Sequence, residues 1–174
     1  MAAVGAAAID LLSDIAEGKP RGDVLEFDIA ACIGVDVNIV IDMLVEALTP
    51  NNGDAEIIRA ALNSALEEAL CKHQDFDPSN IDNSALMSLF ETYLTESVFH
   101  WIVVESDKAF QKTDNAEEAI RAENGLKELI SVVVEEAVGG LGLGDMSNLQ
   151  VDALDKLHRD VVHEVLEVWE GYDD

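Results

Sequence analysis

Positive charge is scarce in this sequence. Lys and Arg together number 10 against 36 Asp and Glu residues, which gives a formal net charge of -26. Because phosphate backbones and anionic lipids carry the same sign, we expect no direct binding to nucleic acid or to an anionic membrane surface. Three interpretations of the acidity remain: a solvated surface suited to a salt-rich cytoplasm, a surface that steers a basic partner protein, and mimicry of DNA. The acids are spread along the chain instead of forming blocks, which fits the first two equally well.

Aromatic residues and cysteines are also few. Aromatic side chains make up 5% of the sequence, whereas 49% is apolar and mostly Ala, Leu, Val and Ile. This mixture favours helices packed on helices over a β-sandwich. The two cysteines, Cys32 and Cys71, are too few for a disulfide scaffold, and we expect both to be buried in a reducing cytosol. The N-terminus lacks the basic flank of a signal peptide and no apolar run could span a bilayer, so we expect a cytoplasmic protein.

Apolar residues recur at helical spacing through most of the chain. This periodicity predicts an all-α, single-domain bundle of about six helices over residues 1–174, with short connections. The segment from 85 to about 110 is apolar on more than one face, which is typical of a helix at the centre of its domain. The loop at 73–83 is the most plausible internal boundary. The helical segments lie at 3–17, 23–33, 36–48, 54–70, 85–110, 116–137 and 149–169.

Residues 24–48 resemble a helix-turn-helix pair. Ala30 is small where two helices would cross, and Gly34 would supply the turn. A DNA-reading pair needs Lys or Arg side chains to hold phosphates, yet none occurs between residues 22 and 58. The would-be recognition helix instead carries acids (Asp36, Asp42 and Glu46). We therefore interpret the pair as a packing unit without a DNA-binding role.

Other candidate sites fail on spacing or context. The glycine run at 139–144 follows no strand and lacks the Lys of a phosphate loop, so a turn between helices is expected. His158 and His163 are five residues apart, which does not place both on one helix face, and we interpret them as surface histidines among acids, with a weak metal site as the alternative. No nucleophile motif is found. We predict no catalytic, cofactor-binding or metal-binding residue, no cofactor and no enzymatic activity.

The C-terminal residues offer the most suggestive binding feature. Trp169 and Tyr172 place two large aromatic side chains beside acids. Because Trp and Tyr are favoured anchors of protein interfaces, we predict that both residues bind a partner protein. The alternative is that Trp169 completes the bundle core.

Several stretches together resemble a known family. In order and spacing they are similar to the C-terminal helical region of QatB, a component of the Qat anti-phage defence system, from about residue 9 to residue 169. The resemblance implies a non-catalytic subunit that works beside an ATPase, a QueC-like enzyme and a TatD-like nuclease, and it carries over no functional residue. The stretches are Gly18-Lys19-Pro20, Leu48-Thr49-Pro50-Asn51-Asn52-Gly53, Glu56-Ile57-Ile58-Arg59-Ala60-Ala61-Leu62, Phe90-Glu91-Thr92-Tyr93-Leu94 and Ala119-Ile120-Arg121.

One departure from the family concerns the N-terminus. Members of the family carry a polar region that starts Met-Gly before the helical part, and the QueC-like partner is thought to act on it. This sequence begins Met1-Ala2-Ala3 and enters a predicted helix almost at once. We expect either a fragment or a relative that lacks the segment.

The sequence leaves two functional hypotheses: an acidic helical subunit that binds other proteins, and, as the alternative, a DNA-mimic inhibitor that occupies a nucleic-acid-binding partner.

Overall fold

Helices account for the architecture that the sequence predicts. The computed structural model describes residues 1–19, 25–105, 116–140 and 151–170. Within these ranges six α-helices and two 3-10 helices, Ile29–Cys32 and Pro78–Asn80, occur without a strand, so the all-α prediction is confirmed. The α-helices are α1 (Ala2–Ala16), α2 (Val37–Leu48), α3 (Ala55–Leu70), α4 (Asn83–Glu105), α5 (Ala116–Gly140) and α6 (Val151–Glu170).

The central element is α4, which contacts α1, α3, α5 and α6. Its buried positions are spread around most of its circumference, because a helix enclosed by four others has no wide face left for water. The prediction of a central helix is therefore confirmed. The buried side chains of α4 are Ala85, Leu86, Leu89, Phe90, Tyr93, Leu94, Ser97, Val98 and Ile102.

The helix ends follow local signals that are legible in the sequence. Gly18 has a φ of 69° after the last turn of α1, and the amide of Lys19 donates to the carbonyl oxygen of Asp14 at 2.8 Å. This is a Schellman ending, which a left-handed glycine permits. Asp36 begins α2 as predicted, because its carboxylate accepts from the Asn38 amide at 2.9 Å. Asp54 occupies the N-cap of α3, but its side chain makes no capping hydrogen bond.

The first helix of the helix-turn-helix-like pair was wrongly predicted. Between residues 25 and 36 the chain forms only the 3-10 turn Ile29–Cys32, and residues 20–24 lie outside the described part. The carboxylate of Asp28 accepts from the Ala30 amide at 3.0 Å. This local bond starts a new turn in the middle of the predicted helix. Gly34, with a φ of 78°, then turns the chain towards α2.

The segment between α3 and α4 is fastened to the start of α2. The amide of Phe76 donates to the Val35 carbonyl oxygen at 2.8 Å, and the amide of Gly34 donates to the Phe76 carbonyl oxygen at 2.9 Å. An isolated antiparallel bridge pairs Asp36 with Asp75 in the same place. The Phe76 side chain is 2% exposed and joins the core. These bonds fix the beginning of α2 and the turn that precedes it.

The last two helices close the bundle. α5 continues through Gly140, beyond the predicted end at 137, and residues 141–150 lie outside the described part. α6 packs on α1, α4 and α5. Its apolar residues at three- and four-residue spacing are buried except at Val168, which is 37% exposed. The buried residues of α6 are Leu154, Leu157, Val161, Val162 and Val165.

Candidate partner-binding surface

His158 is not the surface residue that the sequence suggested. It lies over a narrow gap between α1, α4 and α6, and its buried Nε2 atom has no hydrogen-bond partner. Burial lowers the pKa of His158 below its ordinary value of 6.5. The interpretation of His158 as exposed was wrong because it lies one helical turn from both Leu154 and Val162, which are buried.

His163 remains on the surface of α6. Its side chain is 74% exposed, and Nδ1 lies 3.7 Å from a carboxylate oxygen of Glu167. The structure therefore does not bring His158 and His163 together. Among the described residues, no group of three or more His, Cys, Asp or Glu side chains could hold a metal ion.

The two cysteines differ in burial. Cys32 is buried at the end of the 3-10 turn, as expected, whereas Cys71 is exposed. The prediction for Cys71 was wrong because α3 ends at Leu70, so the next residue turns away from the core. Partial desolvation raises the pKa of both thiols. Neither thiol is thereby activated as a nucleophile.

The C-terminal aromatic residues divide between the core and the part of the chain that is not described. Trp169 is half-buried and packs against the core at the end of α6. Tyr172 lies outside the described residues. The packing of Trp169 agrees with the alternative that it completes the bundle, and its binding role stays a prediction. Of the glycine run, Gly139 and Gly140 belong to α5, and 141–144 lie outside the described residues.

The sequence reasoning missed an open groove beside α2, here called the α2 groove. It has a volume of about 550 Å³ and is lined by Glu26, Phe27, Asp42, Met43, Glu46 and Ala47. Half of these side chains are acidic and the others are apolar. Part of the signal on α2 was available, since Met43 and Ala47 are four residues apart and therefore lie on the same side of the helix. The contribution of Phe27 depends on tertiary structure and had no such signal.

Asp42 and Glu46 form an acidic ridge along α2. They also line an adjoining groove of about 520 Å³ towards α3, which includes Glu56 and Arg59. Arg59 donates to the Glu46 carboxylate at 2.6 Å, and this hydrogen bond is the main cause that raises the pKa of Arg59. The Glu46 side chain is still 74% exposed. The pair is consequently a weak surface ion pair that leaves the ridge accessible.

Two polar pockets lie elsewhere in the bundle. One, of about 210 Å³, is lined by the segment between α3 and α4, including Lys72, His73 and Asp75. The other, of about 220 Å³, lies between α3, α4 and α5 and brings Glu91 and Glu135 together. Burial raises the pKa of Glu91, and the negative charge of Glu135 raises it further.

Residues 1–169 match one family, described as Qat anti-phage system associated protein QatB. This chain belongs to the QatB family. It is therefore a component of an anti-phage defence system. The match begins at residue 1 and so includes the first half of α1, which the resemblance of motifs from residue 9 had left out.

Comparisons with curated proteins and with solved structures found no match. Within the described ranges, no helix is both long and apolar enough to cross a membrane. The candidate surface of this QatB-family chain is therefore argued from the described residues alone.

Proposed function

We propose that this chain is a non-catalytic subunit that binds one or more partner proteins of the Qat system through its acidic helical surface. The observation that carries the proposal is the exposure of large apolar side chains on so acidic a chain. Ile39 is 53% exposed on α2, and Trp101 is 40% exposed on α4. Covering such side chains with a partner gains free energy, while the surrounding acids favour a basic partner.

The partner is a QueC-like enzyme or another subunit of the same defence complex. This choice rests on membership of the QatB family and on the resemblance described above, which implies an ATPase, a QueC-like enzyme and a TatD-like nuclease as companions. An acidic subunit with a net charge of -26 would associate quickly with a basic surface, because opposite charges steer the encounter. The rate of association should accordingly fall as salt screens the charges.

The test is co-expression of the tagged full chain with each of these companions, followed by purification and size-exclusion chromatography. We expect one companion to elute with the chain in a fixed ratio at low salt, and to bind more weakly as salt is raised. Elution of the chain alone from every mixture contradicts the proposal. If the chain instead displaces DNA from a nucleic-acid-binding companion, the DNA-mimic alternative is favoured.

The non-catalytic part of the proposal has its own test. The thermal unfolding midpoint of the chain is measured with and without nucleotides and divalent metals. We expect no ligand to raise the midpoint by more than the scatter between replicates. A large rise with one ligand would show a specific site, since a ligand that binds only the folded state stabilises it by an amount that grows with the logarithm of its concentration divided by its dissociation constant.

A further inference from the structure

The two faces of α2 have different surroundings. The inner face is buried in the core through Val37, Val40, Ile41, Leu44, Val45 and Leu48. The outer face is not uniformly polar, as a solvated helix face normally is. Ile39 is 53% exposed there, and Met43 follows it by one helical turn on the same side. The outer face of α2 thus exposes an apolar row beside the acids Asp42 and Glu46.

The α2 groove lies along one side of this apolar row. Phe27, from the segment that precedes the 3-10 turn, lines the groove opposite Met43 and Ala47. All three side chains are only partly buried and pack against the core from outside. The floor of the groove is therefore apolar and reaches solvent, which is the arrangement that accepts the apolar face of a helix.

The rim of the α2 groove carries charge of one sign. Glu26 stands on one side, and Asp42 and Glu46 stand on the other. Arg59 bridges Glu46 from the α3 side. Within the described part of the chain, no Lys or Arg bridges Glu26 or Asp42. A ligand with positive charge is favoured in this groove, because an anionic ligand would meet carboxylates on both sides.

The walls of the α2 groove are held in place by the local backbone. Asp28 caps the 3-10 turn next to Phe27, and Asp36 caps α2. The amide of Val37 donates to the Gln74 carbonyl oxygen at 2.9 Å, which fastens the first turn of α2 to the neighbouring segment. A groove with fixed walls loses little entropy when it is filled, so even a short helix can bind it.

We propose that the α2 groove binds a basic amphipathic helix of a partner protein. The apolar stripe of that helix lies against Phe27 and Met43 and extends onto the exposed Ile39 beside the groove. Its Lys or Arg side chains pair with Glu26 and Asp42. The inference rests on the proposed function, since it names the surface through which the subunit binds its partner. A helix fits better than an extended strand, because the described residues present no sheet edge to which a strand could be added.

The test uses the full chain and a fluorescein-labelled synthetic peptide with Leu on one helical stripe and Lys beside it. Two further peptides serve as comparisons: one of the same composition with the stripe scrambled, and one with Glu in place of every Lys. Fluorescence anisotropy gives the dissociation constants, and hydrogen exchange locates the bound peptide. We expect the striped Lys peptide to bind tightest and to protect α2 and residues 25–32.

Matched variants locate the site without disturbing the core. The double variant Glu26→Gln/Asp42→Asn and the single variant Ile39→Gln should each weaken binding of the striped peptide by about fivefold or more. Glu123→Gln/Glu128→Gln removes the same charge from exposed positions of α5, and Val132→Gln replaces an apolar side chain that is 49% exposed. These control variants should bind like the unmodified chain.

Three results would overturn the inference. The scrambled peptide could bind as tightly as the striped one, in which case only bulk charge acts. The control variants could weaken binding as much as the groove variants do, or protection could fall outside α2. The proposed function is tested separately. If the unmodified chain elutes with a companion subunit and the groove variants do so equally, the proposed function stands and the α2 groove is not the binding site.

Discussion

Replacing Gly5 with alanine should destabilise the protein, although alanine is the better helix former. Gly5 lies inside α1, where glycine is normally unfavourable by about 1 kcal/mol relative to alanine. At this position, however, a Cβ atom would lie 2.8 Å from two ring carbons of Tyr93. Carbon atoms pack best at about 3.5–4.0 Å. Either the ring or α1 must therefore move by at least about 0.7 Å.

The surroundings of Tyr93 limit such a movement. The Tyr93 side chain is 3% exposed, and its hydroxyl donates to the Met1 carbonyl oxygen at 2.9 Å. The burial that fixes the ring also raises the pKa of Tyr93 well above its usual value. An inserted methyl group in a well-packed core costs about 1–3 kcal/mol. Because the gain in helix propensity offsets about 1 kcal/mol of this cost, Gly5→Ala should destabilise the protein by up to about 2 kcal/mol.

Gly125→Ala provides the matched control. Gly125 also lies inside a helix, α5, but a Cβ atom there would meet nothing within 4 Å. Only the propensity term acts, so this substitution should stabilise the protein by about 0.5–1 kcal/mol. The difference between the two variants then isolates the steric term, about 1–3 kcal/mol. Urea unfolding followed by circular dichroism measures both free energies of unfolding.

A double-mutant cycle checks the cause. Tyr93→Leu removes the ring atoms that the new Cβ would touch, so Gly5→Ala should become stabilising in that background. We expect a coupling free energy of about 1–2 kcal/mol between the two positions. If Gly5→Ala instead stabilises the unmodified chain as much as Gly125→Ala does, α1 and α4 do not pack as closely as described, and the reasoning is refuted.

Three further predictions concern the electrostatics of the bundle, and urea unfolding tests each of them. Glu91→Gln should stabilise the protein by about 0.3–0.5 kcal/mol at neutral pH, because it removes a charge that burial desolvates and that Glu135 repels. Since the pKa of Glu91 is raised in the folded state, this gain should vanish below the ordinary pKa of 4.5, and a gain that persists there contradicts the prediction. Because the pKa of His158 is lowered in the folded state, the unfolded state binds the proton more tightly, and the free energy of unfolding should fall as the pH drops through 6.5. His158→Leu should remove that loss, and an equal pH dependence of the two proteins contradicts the prediction. Lys127→Met should destabilise the protein by about 0.5–1.5 kcal/mol, because the Lys127 ammonium lies 2.7 Å from a carboxylate oxygen of the largely buried Glu96. Adding Glu96→Gln to that variant should recover part of the lost stability.

The bundle was largely predictable because its signals are local. A repeating apolar stripe, a capping aspartate such as Asp36 and a stop such as Gly18 act within a few residues, so their effect can be inferred without knowledge of distant contacts. The same reasoning failed at residues 25–33, which are the described part of the predicted helix 23–33. There the carboxylate of Asp28 bonds to the Ala30 amide and competes with a continuous helix.

His158 shows how composition can conceal position. Charged neighbours suggested an exposed face, yet the residue lies one helical turn from Leu154 and Val162, and both of these side chains are buried. Periodicity was the better guide, because a helix rotates each residue to a fixed direction whatever the charge of its sequence neighbours. The hydrogen-bonding state of its Nε2 atom depends on α1 and α4 and could not be inferred from α6 alone.

The charge of the candidate surface could be predicted from the sequence, but its geometry could not. The charge is the less informative of the two. A net charge of -26 fits a solvated surface, a steering surface and a DNA mimic alike, since a sum of charges carries no geometry. The distinction lies in what stands beside the acids. A surface that merely holds water gains nothing from an exposed isoleucine at position 39, and a DNA mimic needs carboxylates in rows at roughly phosphate spacing on one face. Acids on both sides of an apolar groove favour a partner that is at once basic and apolar, which is the property of an amphipathic helix.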